Sequence, residues 1–217
     1  MKVDLSLYLV TDSAQSRARG RDIVDTVSLA VAGGVTAVQI REKTASDKEF
    51  LDVVTRVAAA LPPTVALFVN DRVEVFLAAQ ARGIRVSGVH VGQSDQTVSA
   101  VRSAIGDDAI IGLSARTDEQ LAAAAADPAR VDYVGIGTLH PTSTKPDAPD
   151  ALGIEEFARL ASLIDLPAVA IGGITASDMA LLRANGAAGA AVVSAICAAE
   201  DPEVAARELS QRWNGAE

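Results

Sequence analysis

Residues 110–137 read IIGLSARTDEQLAAAAADPARVDYVGIG. The two ends, 110–114 and 133–137, are short apolar runs rich in β-branched residues. Residues 119–126 between them are rich in alanine and leucine, so the segment reads strand, helix, strand. Neither end alternates polar with apolar residues, which suits parallel strands buried on both faces by covering helices. Outward from this unit the pattern repeats along the chain. Strand candidates occupy 7–11, 37–41, 66–70, 88–91, 168–172 and 189–194, with helix candidates at 23–32, 47–60 and 154–164 among them. A last helix over 203–213 begins behind Asp201-Pro202, a capping residue followed by an early-helix proline.

Eight strand–helix units in 217 residues fit a compact α/β barrel, whose usual size is ~250 residues with small examples near ~200. The competing architecture, an open doubly wound sheet, often carries a glycine-rich first turn, whereas strand 1 here ends in Thr11-Asp12-Ser13. A single-domain (β/α)8 TIM barrel over residues 1–217 is therefore expected, with no Pro/Gly/Ser-rich linker to divide it. Its active site belongs at the carboxyl ends of the strands.

With 19 basic and 28 acidic residues the net charge is −9, which argues against a general nucleic-acid binder or an anionic-membrane binder. A few local cations could still hold an anionic ligand. The N-terminal residues lack the layout of a signal peptide, and no apolar run approaches the ~20 residues that span a bilayer. Cys197 is the only cysteine and so forms no intrachain disulfide. The expectation is a cytoplasmic protein, and a homo-oligomer is compatible with the chain.

The strand ends carry the chemistry. After strand 2 comes Gln39-Ile40-Arg41-Glu42-Lys43, where extended geometry puts Gln39, Arg41 and Lys43 on one face. Two cations and an amide suit a phosphate or diphosphate; a solvated strand end paired with Glu42 or Asp47 is the plainer alternative. Strand 3 ends in Asn70-Asp71, and Gly92-Gln93-Ser94-Asp95 follows strand 4. Carboxylates from neighbouring strand ends can share Mg2+, which takes one or two of them plus phosphate oxygens and water. Either could instead cap the next helix. Ile171-Gly172-Gly173-Ile174 and Val192-Val193-Ser194 end strands 7 and 8, where such barrels commonly bind phosphate through backbone N–H groups. Between these sites, residues 138–153 show no helix or strand pattern, although such loops usually run ~2–6 residues. This loop carries Pro141-Thr142-Ser143-Thr144-Lys145. The layout suggests two phosphorylated substrates side by side. His90 reads equally as a core histidine or a ligand contact, His140 as a surface residue, and Cys197 as a small buried hydrophobe.

In order along the chain, residues 7–12, Gln39 to Lys43, Asn70-Asp71, Gly92 to Asp95, Gly112-Leu113-Ser114, 132–137, Pro141 to Lys145, Ile171 to Ile174 and 193–196 resemble thiamine-phosphate synthases. PTxTK, QxREK and GQxD are the specific motifs. The resemblance implies an Mg2+-dependent transferase of thiamine biosynthesis that joins a pyrimidine diphosphate to a thiazole phosphate and releases diphosphate. It implies that Gln39, Ile40, Arg41, Glu42, Lys43, Asn70, Ser114 and Lys145 bind the pyrimidine diphosphate, with Arg41, Lys43, Ser114 and Lys145 at the reacting centre. By the same resemblance Asp71 and Asp95 hold the metal, while Thr142, Ser143, Thr144, Gly173, Val193 and Ser194 hold the thiazole phosphate. Ser87 and Thr138 depart from the family pattern, at positions given no chemistry. The rival reading is a non-catalytic or isomerase-type barrel that binds only thiazole phosphate; it would not be expected to keep the diphosphate and metal set.

Overall fold

A computed structural model of the chain describes residues 3–142, 144 and 150–215. Eight strands, β1 (Leu7–Val10), β2 (Ala37–Ile40), β3 (Ala66–Asn70), β4 (Gly88–Val91), β5 (Ile110–Ser114), β6 (Tyr133–Gly137), β7 (Ala168–Ile171) and β8 (Gly189–Val192), pair in sequence order as a closed parallel barrel. The circuit closes where β1 pairs with β8, Leu7 opposite Ala190 and Leu9 opposite Val192. The helices are α1 (Ser13–Ala18), α2 (Ile23–Ala32), α3 (Asp47–Ala60), α4 (Val73–Ala81), α5 (Val98–Ile105), α6 (Asp118–Ala126), α7 (Gly153–Ala161), α8 (Ala176–Ala184), α9 (Ser194–Cys197) and α10 (Pro202–Asn214). The (β/α)8 barrel expected from the sequence is the observed fold.

Local chemistry explains the boundaries. Asp22, Thr97, Thr117 and Asp201 each accept a backbone N–H in the first turn of α2, α5, α6 and α10, satisfying donors that lack a helical partner. Ser46 and Glu49 close a reciprocal capping box on α3. Four strands stop one or two residues earlier than their apolar runs, at Val10, Ile40, Ile171 and Val192. The residues just beyond them, Thr11, Arg41, Gly172 and Val193, belong to the loops of the mouth and Ser194 opens α9, although the Thr11 N–H still donates to the Gln39 carbonyl at 2.9 Å. Helix α7 ends at Ala161, three residues before the expected end.

Two cores result. One fills the layer between strands and helices and includes Leu9, Ile40, Val69, Phe76, Ile111 and Phe157. The other, inside the barrel, is built on Tyr8, Phe68 and Tyr133, whose rings lie 5.5–6.0 Å apart in tilted or edge-on arrangements. At the amino-terminal side of the barrel, the buried Arg102 donates to the carbonyls of Ala129, Gly106 and Arg130 and to Asp132 Oδ2 at 2.8 Å. Asp132 also accepts from the Ile111 N–H, which gives it a structural role below β6. Arg102→Met is expected to lower stability by about 2 kcal/mol, because several buried acceptors lose a charged donor at once. Thermal unfolding without ligands checks this, and catalytic constants per folded molecule should be unchanged.

Candidate active site

The carboxyl ends of the strands surround a cavity of about 570 Å3. Gln39, Arg41 and Lys43 all line it. The two residues between them do not, as the two-residue period of an extended chain requires. Ile40 is fully buried in the outer core, and Glu42 accepts a hydrogen bond from the Ser13 hydroxyl. Neither Ile40 nor Glu42 is among the residues that line the cavity. Arg72, unmarked by any motif, holds this loop in place. Its guanidinium donates to the carbonyls of Ala45 at 2.6 Å and Glu42 at 3.2 Å, pairs with Asp47 at 3.0 Å, and lies over the Phe50 ring. Asp47 thus partners Arg72, leaving Arg41 and Lys43 to the cavity.

Asn70, Asp71 and Asp95 line the same wall. Neither aspartate caps a helix: Thr97 caps α5, and α4 follows Arg72 with no side-chain cap. Asp95 instead accepts the Gly92 N–H at 2.7 Å. Asp71 has φ +60°, a left-handed backbone that Asp tolerates better than most residues but that still costs energy. Burial first, and then the negative charge of Asp95, push the Asp71 carboxyl up to about 6. Among the described residues no cluster of three or more His, Cys, Asp or Glu side chains could enclose a metal. A divalent ion on this pair would thus take its remaining ligands from substrate and water. Two adjacent carboxylates that penalise each other's ionisation are a set that such an ion relieves.

Across the mouth, Gly172 and Gly173 have φ +101° and +67°. A Cβ on Gly173 would come within 2.8 Å of His140 Cβ and 2.9 Å of the Pro141 carbonyl, so both backbone and space require glycine there. Thr142, Thr144, Val193 and Ser194 line this side. Ser143 and Lys145 lie outside the described residues. The long loop is pinned at its two ends, Leu152 N–H to Thr138 O at 2.8 Å and Gly153 N–H to Leu139 O at 2.9 Å. His140, expected at the surface, is instead partly covered and bonds Asp178 of α8 at 3.0 Å. Burial raises the Asp178 carboxyl, but hydrogen bonds from Thr175 and His140 outweigh it and leave the group below its ordinary value.

The floor of the cavity carries residues that the motifs did not mark. Gln39 Nε2 donates to Tyr8 Oη at 3.0 Å, Tyr8 Oη lies 2.8 Å from Tyr133 Oη, Tyr133 Oη 3.0 Å from His90 Nδ1, and His90 Nε2 3.0 Å from Ser114 Oγ. His90 is thus both a hydrogen-bonded interior histidine and a residue of the cavity wall. Burial pushes its imidazole down to about 4, so it is neutral near pH 7. A signal for this floor exists in composition: the chain has two tyrosines, both on strands, and a buried phenol needs a partner. Arg116, also missed, lines the cavity and is held by the Asp150 carbonyl at 3.0 Å. Cys197 is buried, as expected, and its thiol is pushed up to about 11 by burial.

Residues 7–196 match the model of the family described as thiamine monophosphate synthase. The chain belongs to that family. It is 47% identical over 207 residues to the thiamine-phosphate synthase of Azorhizobium caulinodans, covering 95% of this chain and 93% of that protein. It is 41% identical over 211 residues to that of Syntrophomonas wolfei, with 97% of each covered. Among solved structures, thiamine phosphate pyrophosphorylase from Pyrococcus furiosus superposes with a TM-score of 0.83 at 30% identity over 99% of this chain and 98% of that one. A 3-hexulose-6-phosphate synthase, at 20% identity and TM-score 0.69, shares the barrel only. Thiamine-phosphate synthases are transferases, and Gln39, Arg41, Lys43, Asp71, Asp95 and Ser194 of this chain line one cavity. Among the described residues no helix is long and apolar enough to cross a membrane.

Proposed function

We propose that the chain joins an aminomethylpyrimidine diphosphate to a thiazole phosphate, forming thiamine phosphate and releasing diphosphate. The observation that carries this reading is the pairing of two unlike anion sites in one cavity: cations and carboxylates after β2 to β4, and a neutral glycine-lined cradle after β6 to β8. A barrel that held only a thiazole phosphate would have no use for the first.

The attacking thiazole nitrogen carries no proton, so no side chain need remove one. A neutral, hydrogen-bonded His90 fits a cavity without a general base. As the bond from the pyrimidine methylene to the diphosphate oxygen breaks, its electron pair leaves with the diphosphate. Arg41 and Lys43 stand where that charge grows, and the family motif adds Lys145. Asp71 and Asp95 would hold Mg2+, whose contribution is to neutralise the leaving diphosphate. Gln39, Asn70 and Ser114 orient the pyrimidine; Thr142, Ser143, Thr144, Gly173, Val193 and Ser194 hold the thiazole phosphate. Catalysis on this reading is positioning and electrostatic preorganisation. The cytosol is the compartment we propose, since the one cysteine is buried and unpaired.

Purified protein mixed with both substrates and Mg2+ is expected to release one diphosphate for each thiamine phosphate formed. No product, or equal diphosphate release from the pyrimidine substrate alone, would count against the reading. A pH dependence follows from Asp71. Its folded-state value is raised, so its contribution to stability is present at low pH and is lost as pH rises through about 6. Mg2+ must displace that proton below pH 6 and meets a bare, strained carboxylate pair above it. The rise in melting temperature caused by Mg2+ should therefore grow from pH 5 to pH 7, measured without substrates. An Mg2+ shift independent of pH would remove Asp71 from the site.

A further inference from the structure

Asp178, in the first turn of α8, is buried, and its two oxygens hold two different segments. Oδ2 accepts from the Thr175 N–H at 2.8 Å and from the Thr175 hydroxyl at 2.9 Å, which closes the start of the helix. Oδ1 lies 3.0 Å from His140 Nε2. The Asp178 carboxyl is held below its ordinary value, so it is ionised near pH 7 and only accepts. The imidazole is therefore the donor, and the bond is a charge-assisted one.

His140 is fixed in two further ways. Its N–H donates to the Gly172 carbonyl at 3.0 Å, continuing the bond from the Leu139 N–H to the Ile171 carbonyl at 2.9 Å. Its Cβ fills the space that a side chain on Gly173 would need, 2.8 Å away. Asp178 is thus one carboxylate to which both borders of the glycine turn are tied, Thr175 where the turn ends and His140 where the long loop begins. Neither His140 nor Asp178 lines the cavity, whereas Gly172, Gly173, Ile174 and Thr142 do. Thr142 follows His140 by two residues, and the fixed φ of the intervening Pro141 makes the link between them stiff. A phosphate held by backbone groups demands such placement, because those groups cannot swing to meet a ligand as a long side chain can.

We propose that His140 and Asp178 are positioning residues that build the phosphate cradle of the thiazole substrate in advance, by fixing the Pro141-Thr142 segment against the Gly172-Gly173 turn. The inference rests on the thiazole phosphate reading and deepens it. A tie that organises the site before the ligand arrives acts on affinity rather than on the bond-making step. The cations and carboxylates across the mouth are not held by this tie. A histidine that served only stability would shift the melting temperature and leave both substrate affinities alone.

Two variants of the full chain test this. His140→Leu removes the donor and keeps an apolar side chain against Gly173. His140→Gln puts back an N–H donor at the end of a side chain of similar reach. By calorimetry, the dissociation constant for thiazole phosphate should rise about tenfold or more in His140→Leu, the effect of losing one hydrogen bond to a charged group. It should return to within about threefold of the wild type in His140→Gln, with the pyrimidine diphosphate constant unchanged in both. In turnover, KM for thiazole phosphate should rise while kcat stays within about twofold. An unchanged thiazole phosphate constant in His140→Leu, equal weakening of both ligands, or a Gln variant no better than Leu overturns the proposal. Asp178→Asn keeps an oxygen for Thr175 and turns an amide toward His140, and is read as His140→Leu is should that variant fail to fold. Inorganic phosphate, titrated in parallel, separates the two readings. A wild type that binds phosphate but not thiazole phosphate defeats the proposed substrate, and weaker phosphate binding by His140→Leu then still supports the tie. A wild type that binds neither overturns the cradle and this proposal with it.

Discussion

Asp71→Asn is expected to lower turnover at moderate Mg2+ by about a hundred- to a thousandfold, the range typical of losing one preorganised group at a centre of developing charge. The substitution is nearly isosteric, and Asn adopts the left-handed backbone of this position as readily as Asp. The Asp71 N–H bond to the His90 carbonyl, 2.8 Å, does not involve the side chain. What would disappear is one of the two carboxylates proposed to hold Mg2+ against the leaving diphosphate. Burial and the Asp95 charge both disfavour the Asp71 carboxylate, so the metal-free variant should be as stable as the wild type or more so. Loss of activity with gain of stability is the signature of a group held at a cost for function. An Mg2+ titration of the turnover number, run beside thermal unfolding, separates this from a damaged fold. Asp95→Asn should act in the same direction, with the added loss of the Gly92 N–H bond. Normal activity of both variants at limiting Mg2+ would sink the shared-metal assignment.

Ser194→Asp is expected to raise the dissociation constant for thiazole phosphate by at least about a hundredfold, since like charges in direct juxtaposition cost several kcal/mol. Ser194 opens α9 and lines the glycine-rich side of the cavity. A carboxylate is welcome at a helix start, so the local fold should persist while the cradle turns hostile to an anion. The pyrimidine diphosphate, proposed to bind among Arg41, Lys43 and Asn70 on the opposite wall, should keep its affinity. Ser194→Ala, which removes the hydroxyl without adding charge, should cost about tenfold or less. Equal loss of both ligands in the Asp variant would mean that the cavity holds one common anion site rather than two.

The sequence by itself determined everything that follows from a local period. Uninterrupted apolar runs at 66–70, 88–91, 110–114 and 133–137 announced doubly covered parallel strands, and all four are strands over those residues. The two-residue repeat put Gln39, Arg41 and Lys43 on one face, and the ends of neighbouring strands brought Asp71 and Asp95 to one wall. These properties depend only on how side chains project from a strand and on which strands neighbour which. Closure of the barrel decided the rest. Tyr8 and Tyr133 are 125 residues apart and read as ordinary apolar strand residues, yet their hydroxyls meet at 2.8 Å. His140, a loop histidine by sequence, became a tie to Asp178, and Arg72, in no motif, became the clamp of the loop after β2. No local pattern encodes such pairs. Their partners are chosen by which interior positions face each other once eight strands have closed, and by the requirement that each polar group enclosed there finds a hydrogen-bond partner.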